Sequence, residues 1–430
     1  MKTFTRIALS AAAIATAATA QALVPEVETD TFLIPERAIV ATGNAESGRH
    51  LVGVLYNPVN AHFSDPSAPR FLFLDREGKV AFGIGGYVKG TLSYDFDGAI
   101  DDGPNFTTFD IPVPANPALR SQFGASANHT TIFMQLVGTT EHFGNYQVYV
   151  QTNFSGDGNT GYGLKLKQAY MSLGYVTAGL TRSTFVDGAA GTPTIDDEGP
   201  SGEMSAKNIL LQYRPQFSRH WSAAISIENP HATYTLSTTA EAIKQRVPDI
   251  PAYVQYTWLG GRSHVRFSAL LRNLSYRDLK SARNKFVTGW AAQLSGILGF
   301  GSRGTIFYQG AVGQGYARYI NDLAGNGFDL IPDADGTLRA PTMMNFEVGV
   351  RYNLTPAAFL AASYSQARLY GQQTLGADAY RYTQYVSASA FYDIVSDLRI
   401  GLEYLYGNRA DMNRVHGHAN RINAMLQYSF

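Results

Sequence analysis

The chain has 430 residues, no cysteine, and 34 basic against 34 acidic side chains. Charged residues are only 16% and aromatics reach 12%, a leaner charge content than soluble domains carry. Without cysteine there are no disulfides, no thiol chemistry and no thiolate metal sites. The balanced charge lacks the basic stripe that nucleic-acid binding needs.

Residues 1–22 read as a secretory leader. Lys2 and Arg6 precede the small, apolar run Ile7 to Ala20, and Ala18–Ala20 or Ala20–Ala22 offers the cleavage site. Residues 23–78 are rich in proline, show no lasting period, and are expected to form an extended periplasmic or lumen-associated segment. No apolar run of helical membrane-spanning length follows the leader. A closed β-barrel is the other backbone solution for a bilayer, because every peptide group must be paired.

From residue 79 the period is two. In 79–96, Val80, Phe82, Ile84, Val88, Leu92, Tyr94 and Phe96 share one face, and Lys79, Lys89, Thr91, Ser93 and Asp95 share the other. Sixteen such strands are expected, near 79–97, 121–138, 145–155, 163–174, 175–183, 206–214, 220–229, 250–258, 262–276, 285–298, 303–319, 342–353, 357–370, 380–393, 397–407 and 419–430. Their connections alternate: short at 139–144, 174–175, 215–219, 259–261, 299–302, 353–356 and 394–397, and long at 98–118, 156–162, 184–205, 230–249, 277–284, 320–341, 371–379 and 408–418. An even strand count with short inner turns and long outer loops is the pattern of transmembrane barrels. The fold class is therefore all-β: a transmembrane antiparallel barrel over 79–430, of about 16 strands, with a proline-rich N-terminal extension.

The rows Trp221–Ile227, Val265–Leu271, Phe346–Tyr352 and Leu398–Tyr406, taken in steps of two, should face lipid, with Tyr, Trp and Phe forming an interfacial girdle at their ends. The opposite face should carry Lys89, Lys165, Lys167, Arg214, Arg266, Arg272, Arg351, Arg399 and Arg421, against the acids Asp95, Glu228, Glu347 and Glu403. A charge on the lipid face would cost about 2–4 kcal/mol at mid-membrane, and basic rings in a narrow lumen favour anions. The Gly-, Pro- and Asp-rich stretch after residue 183 carries Asp187, Asp196, Asp197 and Glu198. If it folds inward opposite the wall bases, it narrows the hole and sets a transverse field.

The nine histidines lie mostly in turns and loops, with no nucleophile motif beside them. His416 and His418 are spaced like a metal pair but sit in a glycine-flanked turn. No catalytic residue, metal or cofactor is assigned. The alternatives are a non-channel structural or adhesion barrel, and an outer-membrane hydrolase.

The stretch 82–96, followed by 163–188, resembles the DcaP-like porins and related porins of Bacteroidetes-type bacteria. Leu166-Lys167-Gln168-Ala169-Tyr170 and Gly179-Leu180-Thr181-Arg182-Ser183-Thr184-Phe185 carry the likeness. It implies a trimeric outer-membrane channel for small hydrophilic, anionic solutes. Lys165, Lys167 and Arg182 would lie at its basic constriction. The implied partners are outer-membrane lipid and lipopolysaccharide, two further copies of the chain, small solutes, and the barrel-assembly machinery reading Phe430. The chain departs from the family in its N-terminus, where proline replaces the heptads of a coiled coil. In the last strand, Ile422, Ala424, Leu426, Tyr428 and Phe430 should face lipid, and the strand should close the barrel against residues 79–96.

Overall fold

The computed structural model describes residues 37–42, 51–56, 71–74, 80–100, 105–140, 142–156, 161–371 and 374–430. Sixteen antiparallel strands form a closed barrel. They are β1 (Val80–Asp97), β2 (Thr131–Thr140), β3 (Gly144–Asn153), β4 (Lys165–Leu173), β5 (Val176–Arg182), β6 (Lys207–Tyr213), β7 (Trp221–Glu228) and β8 (Ile250–Trp258), followed by β9 (Ser263–Asp278), β10 (Arg283–Phe300), β11 (Gly304–Gln314), β12 (Thr342–Asn353), β13 (Ala358–Leu369), β14 (Tyr380–Val395), β15 (Leu398–Asp411) and β16 (His416–Ser429). The expected leader lies outside the described residues. The three described pieces of 23–78 are β-strands. Arg37–Thr42 pairs with Leu51–Tyr56, and Phe71–Leu74 pairs with 81–84 of β1.

Closure occurs where expected. Asn420 to Ser429 of β16 pair with Tyr87 to Asp97 of β1, and Phe430 exchanges two backbone hydrogen bonds with Gly86 at 2.9 Å. No open edge remains between the first and last wall strands. The polar–apolar alternation holds: Leu426 and Tyr428 are exposed outside, while Arg421, Asn423 and Gln427 are buried within. The outer rows read from sequence are exposed too, among them Ile225, Ile227, Phe267, Leu271, Val348, Val350, Ile400 and Leu402. Tyr94, Phe96, Trp221, Tyr352 and Tyr428 stand on the outer surface near strand ends, and Tyr404 stands on it at mid-strand.

Four expected segments differ in the structure, two strands and two connections. The single strand expected at 121–138 is two pieces, Gln122–Ser126 against the upper part of β1 and β2 against its lower part, with a turn at 127–130. The strand expected at 303–319 stops at Gln314 and gives way to short 3-10 turns at Ala317–Tyr319 and Asn321–Leu323. The long connections expected at 277–284 and 408–418 shrink to tight turns, because β9, β10, β15 and β16 run on beyond the wall as extended hairpins. Alternation continues past the membrane in those hairpins, so periodicity alone could not mark their ends.

Candidate functional site: the lumen and its infolded loops

The loop at 183–206 leaves β5 and crosses into the barrel, held at each step by a wall carboxylate or amide. At its root, the Ser183 hydroxyl and the Thr184 N–H donate to Glu228 Oε1 at 3.0 and 2.8 Å. Asp187 then accepts from Ser295 Oγ and meets His264 Nε2, both at 2.8 Å, with Arg266 Nη1 at 3.6 Å. Burial opposes ionisation of Asp187, but Arg266 and His264 outweigh it and hold the carboxyl well below the usual range. Further along, the Thr192 N–H donates to Glu347 Oε1 at 2.9 Å, and the N–H groups of Ile195 and Asp196 donate to the two oxygens of Glu403 at 2.8 Å each. The loop lies flat on this wall because Gly349 faces Thr192, where any Cβ would collide with the threonine hydroxyl.

At the turn of the loop, Lys89 Nζ donates to the Ile195 carbonyl at 2.8 Å and pairs with Asp197 at 2.7 Å, and His129 lies 3.7 Å from the same carboxylate. Asp196 is buried. It accepts from the N–H groups of Phe106, Glu198 and Gly199 and from the Tyr385 hydroxyl. Desolvation and the nearby Glu403 charge push its pKa up to about 7. The return leg is fixed by Ser365 to Ser201 and Gly202, and by Gln309 to the Met204 N–H.

Two more loops fold in behind it. Asp322, within 315–341, accepts from Thr108 Oγ1, the Phe109 N–H and Thr383 Oγ1, and so ties the 98–121 loop to the wall. Arg272 bonds Asp249 at 3.1 Å and Asp329 at 2.6 Å. Between these polar ties the interior is apolar. Phe185, Met204, Tyr316, Tyr319, Ile320, Phe328 and Ile331 of the loops pack on Leu270, Ala291, Ala311, Met343 and Ala367 of the wall. A second cluster joins Ile195 to Phe359, Phe391 and Met425. The barrel on the β9 to β16 side is thus filled by its own loops.

The other side is wet. A cleft of about 200 Å³ runs beside β3 to β6, lined among others by Gln147, Tyr170, Ser172, Thr177, Arg182, Gln212, Arg214 and Arg266. Phe133, Tyr149 and Tyr170 form a row of rings on this wall, with neighbouring centroids 5.6 and 5.3 Å apart. Toward the extracellular end, Lys165, Lys167, Arg182 and Lys207 lie within electrostatic reach of one another. Among the described residues none of the four takes part in an ion pair. Glu198 and Glu203 of the loop face this group.

The ten candidate bases therefore separate, and Arg214 lines the wet cleft. Lys165, Lys167 and Arg182 border the wet side. Arg266 stands between, stacked 4.1 Å over Tyr253 and tied to the loop root. The remaining five are structural ties. Lys89 holds the loop turn, and Arg272 is sealed under the loops. Arg351 packs 4.0 Å over Phe359, and Arg399 pairs with Asp393 at 2.5 Å. Arg421 grips Asp95 with two nitrogens at 2.7 and 3.1 Å. The four candidate acids all lie on the infolded loop, where Asp187, Asp196 and Asp197 act as anchors and Glu198 accepts from Asn105 at 3.3 Å. Sequence reading passed over Lys207 and Glu203. Lys207 opens β6 and pairs directly with Arg182 across the sheet.

Among solved structures, the outer membrane channel DcaP of Acinetobacter baumannii superposes with a TM-score of 0.72 at 19% identity, over 83% of this chain and 99% of that one. An anion-selective porin from Comamonas acidovorans gives 0.54 at 9% identity, over 82% of this chain and all of the other. Salmonella typhi OmpF, in complex with daunomycin, gives 0.54 at 12% identity, over 84% of this chain and all of the other. These likenesses carry the fold. No curated protein matches the sequence. The family model described as Porin subfamily matches residues 86–427. With a closed barrel, a lipid-facing outer surface and a wet cleft inside, the chain belongs to the Porin subfamily and is an outer-membrane passive diffusion channel.

Proposed function

We propose that this porin passes small hydrophilic anions, and that selection occurs on the wet side of the lumen. One observation carries the reading: Lys165, Lys167, Arg182 and Lys207 converge there, and among the described residues none of them forms a salt bridge. Basic groups that form no salt bridge, in a narrow, partly dehydrated passage, attract anions and repel cations. Glu198 and Glu203 on the facing loop make the field transverse, so that an anion follows the β4 to β6 wall. Arg266 and Arg214 extend the basic track toward the periplasm. Lys89, Arg272, Arg351, Arg399 and Arg421 serve the passage indirectly, by keeping the filled half closed. So do Asp187, Asp196 and Asp197.

The same reading makes the chain non-enzymatic. Residues 1–22 act as an export leader, 23–78 as a periplasmic or lumen-associated extension, and 79–430 as the porin domain. The working form is a homotrimer, a proposal supported by the trimer form described for the similarly folded Vibrio cholerae OmpT. Phe430, paired to Gly86 at the inner rim, is proposed as the mark read by the barrel-assembly machinery. The finer placement among porins of Bacteroidetes-type bacteria rests on the motifs alone.

The test is the reversal potential of the purified protein in a planar bilayer under a salt gradient. An anion-selective potential that collapses stepwise in Lys165→Gln, Lys167→Gln and Lys207→Gln is expected. A cation-selective wild type would overturn the anion reading, and folded protein that never conducts would favour the structural or adhesion alternative.

A further inference from the structure

The lower inner wall of β1 and β2 is dry, although the infolded loops build none of their apolar clusters there. Ala81, Phe133 and Val137 stand on its inner parity and are exposed by only 0, 2 and 5%. They belong to none of the clusters that the loops form with the wall among the described residues. On the outer parity of β2, Ile132 and Met134 are 37 and 44% exposed. Whatever covers this stretch of wall therefore lies on its lumen side.

The N-terminal segment reaches the same place. Arg37–Thr42 and Leu51–Tyr56 form a two-stranded antiparallel sheet, and the first of these strands lies against β2 and β1. The route of the chain agrees. Phe71–Leu74 pairs with Ile84 down to Ala81, so Phe71 is the residue set deepest in the wall. The next position along that edge of β1 is already taken, because Phe430 exchanges hydrogen bonds with Gly86 and Ser429 pairs with Tyr87. The chain before Phe71 must therefore leave the wall beside the C-terminus. A turn outward would set unpaired amides against lipid, whereas a turn inward leads into the lumen. Ala81, Gly83 and Gly85 occupy the inner parity of β1 at this level and are buried. Such small residues let a second layer of backbone approach closely.

We propose that the hairpin of Arg37–Thr42 and Leu51–Tyr56 is seated inside the barrel on the inner wall of β1 and β2, where it narrows the passage toward the cleft beside β3 to β6. The partner of this wall is thus a segment of the same chain. A barrel of this width leaves an aqueous channel unless something occupies it. The infolded loops occupy the β9 to β16 side, and the hairpin occupies the side that adjoins the cleft. The inference concerns the bore of the channel and not its ion preference, so the sign of the reversal potential neither supports nor opposes it.

The chain has no cysteine, so an engineered pair reports alone. Met134 and Gln135 are neighbours on β2 with opposite parity, the first outside and the second inside. Val40→Cys is combined with either Gln135→Cys or Met134→Cys in the full-length folded barrel, and a flexible bis-maleimide is added. Linking is read by mass spectrometry after digestion. The inner pair is expected to link and the outer pair to stay unlinked, because the reagent cannot pass through a closed sheet. In a second experiment, a protease site inserted between residues 57 and 70 is cut after folding, and the freed segment is washed away in denaturant too mild to unfold the barrel. Single-channel conductance should then rise by at least about 1.5-fold, as the vacated lumen fills with water. Should Gln135→Cys fold poorly, judged by heat-dependent gel mobility, Gln147→Cys on β3, opposite Val137, takes its place. Linking at Met134 in place of Gln135, or at neither, overturns the seat inside the barrel. Release of the segment without a rise in conductance overturns the narrowing.

Discussion

The two sides of this barrel solve different problems with the same strand pattern. Along β9 to β16 the inner face meets protein: Ser268, Ser295, Ser365 and Asn423 are wholly buried, and loop atoms occupy the space that water would fill. Along β3 to β6 the inner face meets solvent, with Gln147, Ser172 and Gln212 lining an open cleft. A wide barrel becomes a selective one by filling half of itself, so the size of the passage depends on how firmly the filling is held. The filling is held chiefly by buried carboxylates that accept loop N–H groups, and by buried arginine pairs.

Removing the strongest tie should break this contrast most. Arg272→Ala leaves Asp249 and Asp329 buried without their cation, and should cost about 3–5 kcal/mol, read as a lowered temperature for loss of the folded band on semi-native gels. Next, Glu403→Ala orphans the Ile195 and Asp196 N–H groups and should cost about 2–4 kcal/mol. Single-channel recordings should then show larger, noisier conductance as the 183–206 loop leaves the wall. Stability lost without any rise in conductance would mean that the loop does not border the passage.

A gentler perturbation is pH. Asp196 titrates near 7 when the loop is seated, above the ordinary carboxylate value of about 3.9. The seated loop therefore binds a proton that the released loop does not. The stabilisation is complete below about pH 4 and is lost as pH rises through about 7. Conductance noise should rise between about pH 4 and 7, and Asp196→Asn, fixed in the neutral form, should flatten that dependence. The smallest structural effect belongs to the wet side. Lys207→Gln should change stability by less than about 0.5 kcal/mol, yet move the reversal potential toward zero, which separates the selective residues from the supporting ones.

The wall was readable because lipid on one side and polar lining on the other force a period of two, and the steps Ile422, Ala424, Leu426 and Tyr428 show it to the last strand. The filled half was harder to see. In 268–272, Ala269, Leu270 and Leu271 are apolar on both faces, and the same blurring recurs at Phe359 and Phe391. That loss of alternation is the trace of a dry interior, though a single strand cannot say what covers it. The ties are invisible locally, since Thr192 meets Glu347 across 155 residues and Ile195 meets Glu403 across 208. Lys89, Arg272, Arg351 and Arg421 are buried on the polar parity of their strands. Which bases meet water was not legible, because that depends on where three loops come to rest.

The seam between β1 and β16 also sets an order of events. Arg421 and Asp95 are 326 residues apart in the chain. Bringing them together costs only about 2–3 kcal/mol more in chain entropy than closing a 20-residue hairpin. The greater consequence is temporal: until the last strand arrives, both margins of the growing sheet display unpaired amides, and a chain interrupted anywhere before Arg421 has no way to hide them. The bond between Arg421 and Asp95 is therefore a completion signal written into the wall, formed only by a chain that has been threaded to its final residues.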